Sequence, residues 1–99
     1  MLALVKVEIH DWNKKNYNKI HQAIEREIPG TRKAGNLNTT WLVENISSPV
    51  PLDKAKRIAQ NFIKVIEKTI KEISPNESPI IELAIMIGEE KNFFANQLL

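Results

Sequence analysis

Hydrophobic and polar residues alternate close to the start of the chain. The positions that share one side of an extended strand are all aliphatic, namely Ala3, Val5, Val7 and Ile9. A repeat of two residues is typical of a half-buried strand, because successive side chains point to opposite faces of a sheet. The pattern therefore predicts a first strand over Ala3 to His10, whose other side carries Leu4, Lys6, Glu8 and His10.

Two later stretches repeat their apolar residues at helical spacing. The first runs from Tyr17 to Ile28 and predicts a helix from about Asn13 to Glu27, which Pro29 and Gly30 end. The second keeps one apolar face from Ala55 to Ile73. It predicts a helix of about 22 residues that begins near Pro51 or Leu52.

Three shorter segments complete the chain. Thr31 to Ala34 is short and polar, as edge strands often are, and Thr39 to Glu44 is rich in β-branched and aromatic residues. The two predict a hairpin around a turn at Gly35 to Asn38. Prolines and an asparagine predict a further turn at Ser74 to Pro79, and Ile80 to Ile87 alternates again as a last strand.

The predicted order of elements is therefore βαββαβ. Right-handed crossovers place the first and third strands at the centre of a four-stranded antiparallel sheet, with both helices on one face. This is the ferredoxin-like α+β fold, and it leaves the second sheet face open. A chain of 99 residues is long enough to form one hydrophobic core and too short to form two. We expect a single domain over residues 1–99 with a C-terminal tail at about 89–99.

The composition narrows the class of protein. Hydrophobic residues make up 42% and charged residues 26%, which is typical of globular domains, and cysteine is absent, as suits a reducing compartment. The chain shows no export signal and no apolar stretch near the roughly 20 residues that span a bilayer. We expect a cytoplasmic protein with no membrane partner. The net charge of +2 is concentrated in the first third, which fits either a polyanionic partner or an ordinary solvated surface.

His10 and Asp11 form the candidate catalytic pair. Imidazole changes its protonation state near neutral pH, so His10 is able to exchange a proton with a ribose hydroxyl or a leaving oxygen. The carboxylate of Asp11 is a candidate ligand for Mg²⁺ or an orienting group for a base, but a helix cap is the alternative. For His21 a structural role is favoured, because zinc needs three or four protein ligands.

A set of basic and aromatic residues is a candidate nucleic-acid-binding surface. The cations would contact phosphates if the fold brings them together, and an ordinary solvated surface is the alternative. Trp12 is expected to be exposed and able to stack on a base, whereas Trp41 is expected in the core. The basic members of the set are Lys14, Lys15, Lys19, Arg32 and Lys33.

The last predicted strand is apolar on both faces. One face carries Ile81, Leu83, Ile85 and Ile87, and the other carries Ile80, Glu82, Ala84 and Met86. An apolar outward face predicts contact with a protein partner or with the C-terminal tail. Phe93, Phe94 and Leu98 are candidates to cover it, and a tail that crosses to a neighbouring subunit would give a homodimer.

In layout the chain resembles a family of small ferredoxin-like nucleases and their inactive relatives. The family includes GhoS-type antitoxins, VapD-type ribonucleases and the small subunit of the CRISPR spacer-integration complex. The likeness lies in Ile9-His10-Asp11 at the end of the first strand, in the hairpin with Thr39 to Val43, and in the long second helix. It covers nearly the whole chain.

The resemblance implies a protein that acts on RNA or DNA. In metal-dependent members the acidic residue that closes the first strand binds the ion, which implies Asp11. In GhoS-like members, polar and basic residues near the hairpin contribute to RNA cleavage, which implies Arg32 and Lys33. The expected function is an endoribonuclease in a toxin-antitoxin or phage-defence setting. The alternative is a non-catalytic interaction module, such as an antitoxin, a phage-encoded inhibitor or a regulatory homodimer.

Overall fold

The computed structural model describes residues 2–35, 39–44 and 51–88. In chain order these form β1 (Leu2–Ile9), α1 (Tyr17–Glu27), β2 (Thr31–Lys33), β3 (Thr40–Val43), α2 (Pro51–Ile73) and β4 (Ile81–Gly88). The predicted βαββαβ order is confirmed, and the predicted strand ends differ from these bounds by at most two residues.

The four strands form one antiparallel sheet in the order β2-β3-β1-β4. β1 is central, because Val5 lies opposite Trp41 of β3 on one side and opposite Ile85 of β4 on the other. β2 and β4 are the edges of this sheet. The arrangement is the predicted ferredoxin-like α+β fold, with β1 and β3 at the centre.

The core lies between the sheet and the two helices. Trp41 is at its centre, with its ring centroid 5.8 Å from that of Phe62 on α2 and 4.6 Å from that of His21 on α1. Burial of a large apolar side chain stabilises a fold by about 1.5–3 kcal/mol. This cluster therefore holds both helices to the sheet, and it confirms the predicted core position of Trp41. The largest fully buried side chains are Trp41, Phe62, Ile20, Ile24, Ile66, Val5 and Val7.

The first helix begins differently from the prediction. A single 3-10 turn over Lys14–Asn16 precedes α1, and Oδ1 of Asn13 accepts a hydrogen bond of 3.0 Å from the backbone N–H of Lys15. Asn13 is therefore the cap, and the prediction of a capping role for Asp11 is wrong. Asp11 instead has φ +53°, a left-handed conformation that aspartate tolerates better than most residues.

The outer face of the sheet, opposite the helices, is not uniformly open. Leu2, Ala34 and Leu42 are buried on it and Leu4 packs against them, so the prediction of an open second face is wrong at this end of the sheet. Most of the other residues on the outer face are exposed, although Thr40, opposite Lys6, is buried. The exposed residues include Lys6, Glu8, Glu82, Ala84 and Met86. Phe93, Phe94 and Leu98, predicted to cover this face, lie outside the described residues.

α2 shows the predicted amphipathic pattern. Ile58, Phe62, Ile66 and Ile70 are buried against the core, while most residues on the opposite side are exposed. Within the described ranges no helix is long and apolar enough to cross a membrane.

Candidate functional site

The candidate site lies where β1 ends and the chain turns towards α1. The last residue of β1, Ile9, is held by the buried side chain of Tyr17. The Tyr17 hydroxyl accepts a hydrogen bond of 3.3 Å from the Ile9 N–H and donates one of 3.4 Å to the Ile9 carbonyl. Because α1 thus fixes Ile9, the following residues, His10 and Asp11, start from a rigid position.

His10 contacts the neighbouring strand through both its backbone and its side chain. Its N–H donates a hydrogen bond of 2.9 Å to the carbonyl of Ile80, and its Nε2 lies 2.9 Å from Oε1 of Glu82. A carboxylate that accepts from Nε2–H leaves Nδ1 as the unprotonated nitrogen of a neutral imidazole. The His10 side chain is 40% exposed and that of Glu82 is 67% exposed, so a ligand from solvent reaches this pair.

Asp11 is exposed and is not used by the fold as a cap. Its carboxylate makes no hydrogen bond or ion pair to any other residue that the structure describes. Together with His10, Trp12 and the segment that precedes β4, it lines an open cleft of about 340 Å³. Glu77 and Ser78 form part of the opposite wall. The cleft thus brings a histidine, carboxylates and a hydroxyl to one corner of the sheet.

Trp12 is not the exposed ring that the sequence predicted. It is only 7% exposed and packs edge to face on Tyr17, with ring centroids 6.2 Å apart. Its indole nitrogen is buried without a hydrogen-bond partner among the described residues. The tertiary contact with Tyr17 draws the ring inward, so its face is not available for stacking on a base and it forms the floor of the corner.

Four of the five predicted cations divide into two groups, and the fifth, Lys19, is exposed on α1. Lys14 and Lys15 are exposed in the turn that follows the corner, only a few residues after Asp11. Arg32 and Lys33 lie on β2, at the far edge of the sheet. The structure therefore does not bring these four residues into a single patch.

The position of Arg32 follows from the strand register. Arg32 pairs with Leu42, which pairs with Leu4. Leu4 precedes Ile9, the last residue of β1, by about 17 Å at about 3.3 Å per residue. Nε of Arg32 also lies 2.8 Å from Oε1 of Glu44, so its charge is partly neutralised. Lys14 and Lys15 are thus the predicted cations that remain close to the corner.

Asp11 is also the residue that was predicted to bind a metal ion. Within residues 2–35, 39–44 and 51–88, no group of three or more histidine, aspartate and glutamate side chains is placed to hold a metal ion. Mg²⁺ is usually bound through one or two carboxylates together with water and substrate phosphates. Asp11 and Glu77 are the carboxylates that line the cleft, and binding of Mg²⁺ at Asp11 stays a prediction.

His21 is buried in the core, which agrees with the structural role that the sequence favoured. It is 7% exposed and its ring lies tilted by 38° on that of Trp41. It lies on the helical side of the sheet, away from the cleft.

Glu82 is the residue of the site that the sequence did not single out. The alternation in β4 placed it on the outer face, but its contact with His10 depends on the register between β1 and β4, in which Ile9 lies opposite Ile81. The only sign of this contact in the sequence is that the alternation in β1 and β4 places His10 and Glu82 on the same outer face of the sheet.

Comparison with known proteins gives no family for this chain. No family model matches it, and no curated protein or solved structure matches it either. The resemblance to small ferredoxin-like nucleases therefore stays a prediction.

Proposed function

We propose that this chain is a nucleic-acid-directed protein of the cytoplasm that cleaves RNA at the corner formed by His10, Glu82 and Asp11. The observation that carries the proposal is the contact of 2.9 Å between Nε2 of His10 and Oε1 of Glu82. His10 also lines the open cleft at the end of β1, beside Glu82. A carboxylate that orients an imidazole is the arrangement used by histidines that act as general bases.

The reaction that fits these residues is transfer of a phosphodiester within the RNA strand. Nδ1 of His10 takes the proton of a ribose 2′-hydroxyl, and the 2′-oxygen forms a bond to the adjacent phosphorus. The bond from phosphorus to the 5′-oxygen breaks, and that oxygen takes a proton from a water molecule that Asp11 orders. The imidazolium proton then neutralises the hydroxide, which leaves a 2′,3′-cyclic phosphate and a 5′-hydroxyl.

Lys14 and Lys15 support binding of the substrate in this proposal. Both side chains are exposed beside the corner, and ammonium groups there contact phosphates without choice of sequence. Their contribution is also needed because Asp11 and Glu77, which line the cleft, and Glu82, which contacts His10, carry negative charges that repel a polyanion. Cleavage should accordingly weaken as the salt concentration rises.

The test is incubation of purified protein with single-stranded RNA in the presence of EDTA. We expect the parent to cleave and His10→Ala to be slower by about 100-fold or more, the usual size of a general-base contribution. Lys6→Gln is the control, because Lys6 is exposed on the same face of the same strand but pairs with Thr40 and Ala84, away from Glu82, and should leave the rate unchanged. An inactive parent, or equal rates for the parent and His10→Ala, would disprove the proposal.

A second candidate function is the non-catalytic interaction module. It is favoured by Ile80 and Met86, which are 67% and 63% exposed although both are large and apolar. An antitoxin, a phage-encoded inhibitor or a regulatory homodimer would bind a protein through such residues. A protein that is inactive on RNA and associates through this surface would support the second function over the first.

A further inference from the structure

The two edge strands of the sheet, β2 and β4, differ in how well they are protected against pairing with a strand of another chain. β2 has three residues, of which Arg32 and Lys33 are charged. Short length and cations are the usual means by which an edge strand avoids pairing with another chain. β4 has eight residues, and within Ile81–Gly88 the single charged side chain is Glu82, with no lysine and no proline. β4 therefore lacks these protections.

The backbone groups at the free edge of β4 are identified by the hydrogen bond between the His10 N–H and the Ile80 carbonyl. Hydrogen-bonded pairs alternate with non-bonded pairs in an antiparallel ladder, so even-numbered residues of β4 bond to β1. The odd-numbered residues direct their N–H and carbonyl groups away from β1. No described strand pairs with that edge. These residues are Ile81, Leu83, Ile85 and Ile87.

The side chains of the same four residues are also incompletely covered. They point to the helical face and pack on the core, yet each remains half-buried, unlike the fully buried Val5 and Val7 of β1. A strand added beside β4 would satisfy the free backbone groups and cover the exposed part of these side chains in one step.

We infer that β4 pairs edge to edge with β4 of a second copy of this chain, so that two sheets join into one continuous antiparallel sheet. Two copies of β4 fit each other when they run antiparallel with the two Ala84 residues opposite each other, because apolar residues on the helical face then meet apolar residues. Antiparallel pairing centred there sets Leu83 opposite the second copy's Ile85, and Ile81 opposite its Ile87. On the outer face Glu82 lies opposite the second copy's Met86, so no two like charges meet.

This register gives a direct test with exposed residues. Met86 is 63% exposed on the outer face, so substitutions there leave the core intact. Met86→Glu places a carboxylate opposite Glu82 of the second copy, twice because of the two-fold axis, and should weaken dimerisation roughly 2- to 30-fold relative to the neutral control Met86→Gln. Met86→Lys places an opposite charge there and should strengthen it. Circular dichroism checks that each variant folds.

The measurements are sedimentation across a dilution series and amide hydrogen exchange on the full chain. We expect a dimer in which the amides of Leu83 and Ile85 are protected and lose that protection on dilution, while the amide of Ala84 stays protected in dimer and monomer. A monomer at every concentration would overturn the inference. So would a dimer whose Leu83 and Ile85 amides exchange freely, or a monomer that protects them, since the edge is then covered from within one chain. None of these results depends on RNA cleavage.

Discussion

Nε2 of His10 lies 2.9 Å from Oε1 of Glu82, and this contact joins the end of β1 to the start of β4 across 72 residues of sequence. The Glu82 side chain is largely exposed and that of His10 partly exposed, so the contact contributes little to stability. Its importance is geometric, because it fixes the orientation of the imidazole in the cleft that Asp11 also lines.

Glu82→Gln should therefore separate orientation from stability. We expect RNA cleavage to fall by about tenfold or more, because the amide no longer selects one imidazole tautomer. The free energy of unfolding, measured with urea, should fall by no more than about 1 kcal/mol, which is the upper range for an exposed ion pair. A large loss of stability with unchanged cleavage per folded molecule would show that Glu82 has a purely structural role.

Tyr17→Phe should affect both stability and the site. The substitution removes the hydroxyl that bonds to the N–H and carbonyl of Ile9 and leaves these buried groups unpaired. We expect the free energy of unfolding, measured with urea, to fall by about 1–3 kcal/mol. Cleavage by the folded fraction should also fall, because Ile9 positions His10. Wild-type stability in Tyr17→Phe would contradict this account of how β1 ends.

The core cluster around Trp41 predicts a contrast between two positions on α2. Phe62 is fully buried against Trp41, so Phe62→Ala should destabilise the protein by about 3–5 kcal/mol. Leu52 is 64% exposed on the same helix, and Leu52→Ala should change the stability by less than about 0.5 kcal/mol. Thermal or urea unfolding measures both. Similar losses for the two variants would mean that α2 packs by a different face.

A surface contact between the helices predicts a pH effect. A hydrogen bond and charge from Lys68, and then Arg26, hold the pKa of Glu27 below its ordinary value of 4.5. A lowered pKa in the folded state means that this contact stabilises the protein above pH 4.5 and stops doing so as the pH falls through the folded pKa. Lys68→Ala should raise the pKa of Glu27 towards 4.5, as NMR titration would show. Lys64→Ala, one turn away, is the control and should leave it unchanged.

The order of the elements could be predicted because the patterns in β1 and α2 are long. The eight residues of β1 alternate with the period of two that is typical of a strand, and the apolar stripe of the 23-residue α2 fits only the period of a helix. β2 has three residues, too few to show a period, and its prediction depended on the turn beside it. The start of α1 was misplaced because Lys14–Asn16 form a 3-10 turn, which the spacing of apolar residues does not distinguish from the first turn of an α-helix.

The site was less predictable because tertiary contacts determine it. Alternation fixes the face on which Glu82 lies but leaves the register of β4 open in steps of two residues, so its contact with His10 was not visible. Trp12 was expected to be exposed because it stands beside the predicted helix cap, and its burial depends on where α1 brings Tyr17. Arg32 and Lys33 were separated from the corner by the strand order.

The proton transfer at His10 is tested most directly by an RNA in which one linkage carries a 2′-deoxyribose on its 5′ side. We measure cleavage of that linkage and of its unmodified neighbours by the parent protein in EDTA. The account predicts that the neighbours are cut to 2′,3′-cyclic phosphates while the modified linkage stays intact, since it has no 2′-hydroxyl for His10 to deprotonate. Cleavage of the modified linkage at the same rate would contradict it.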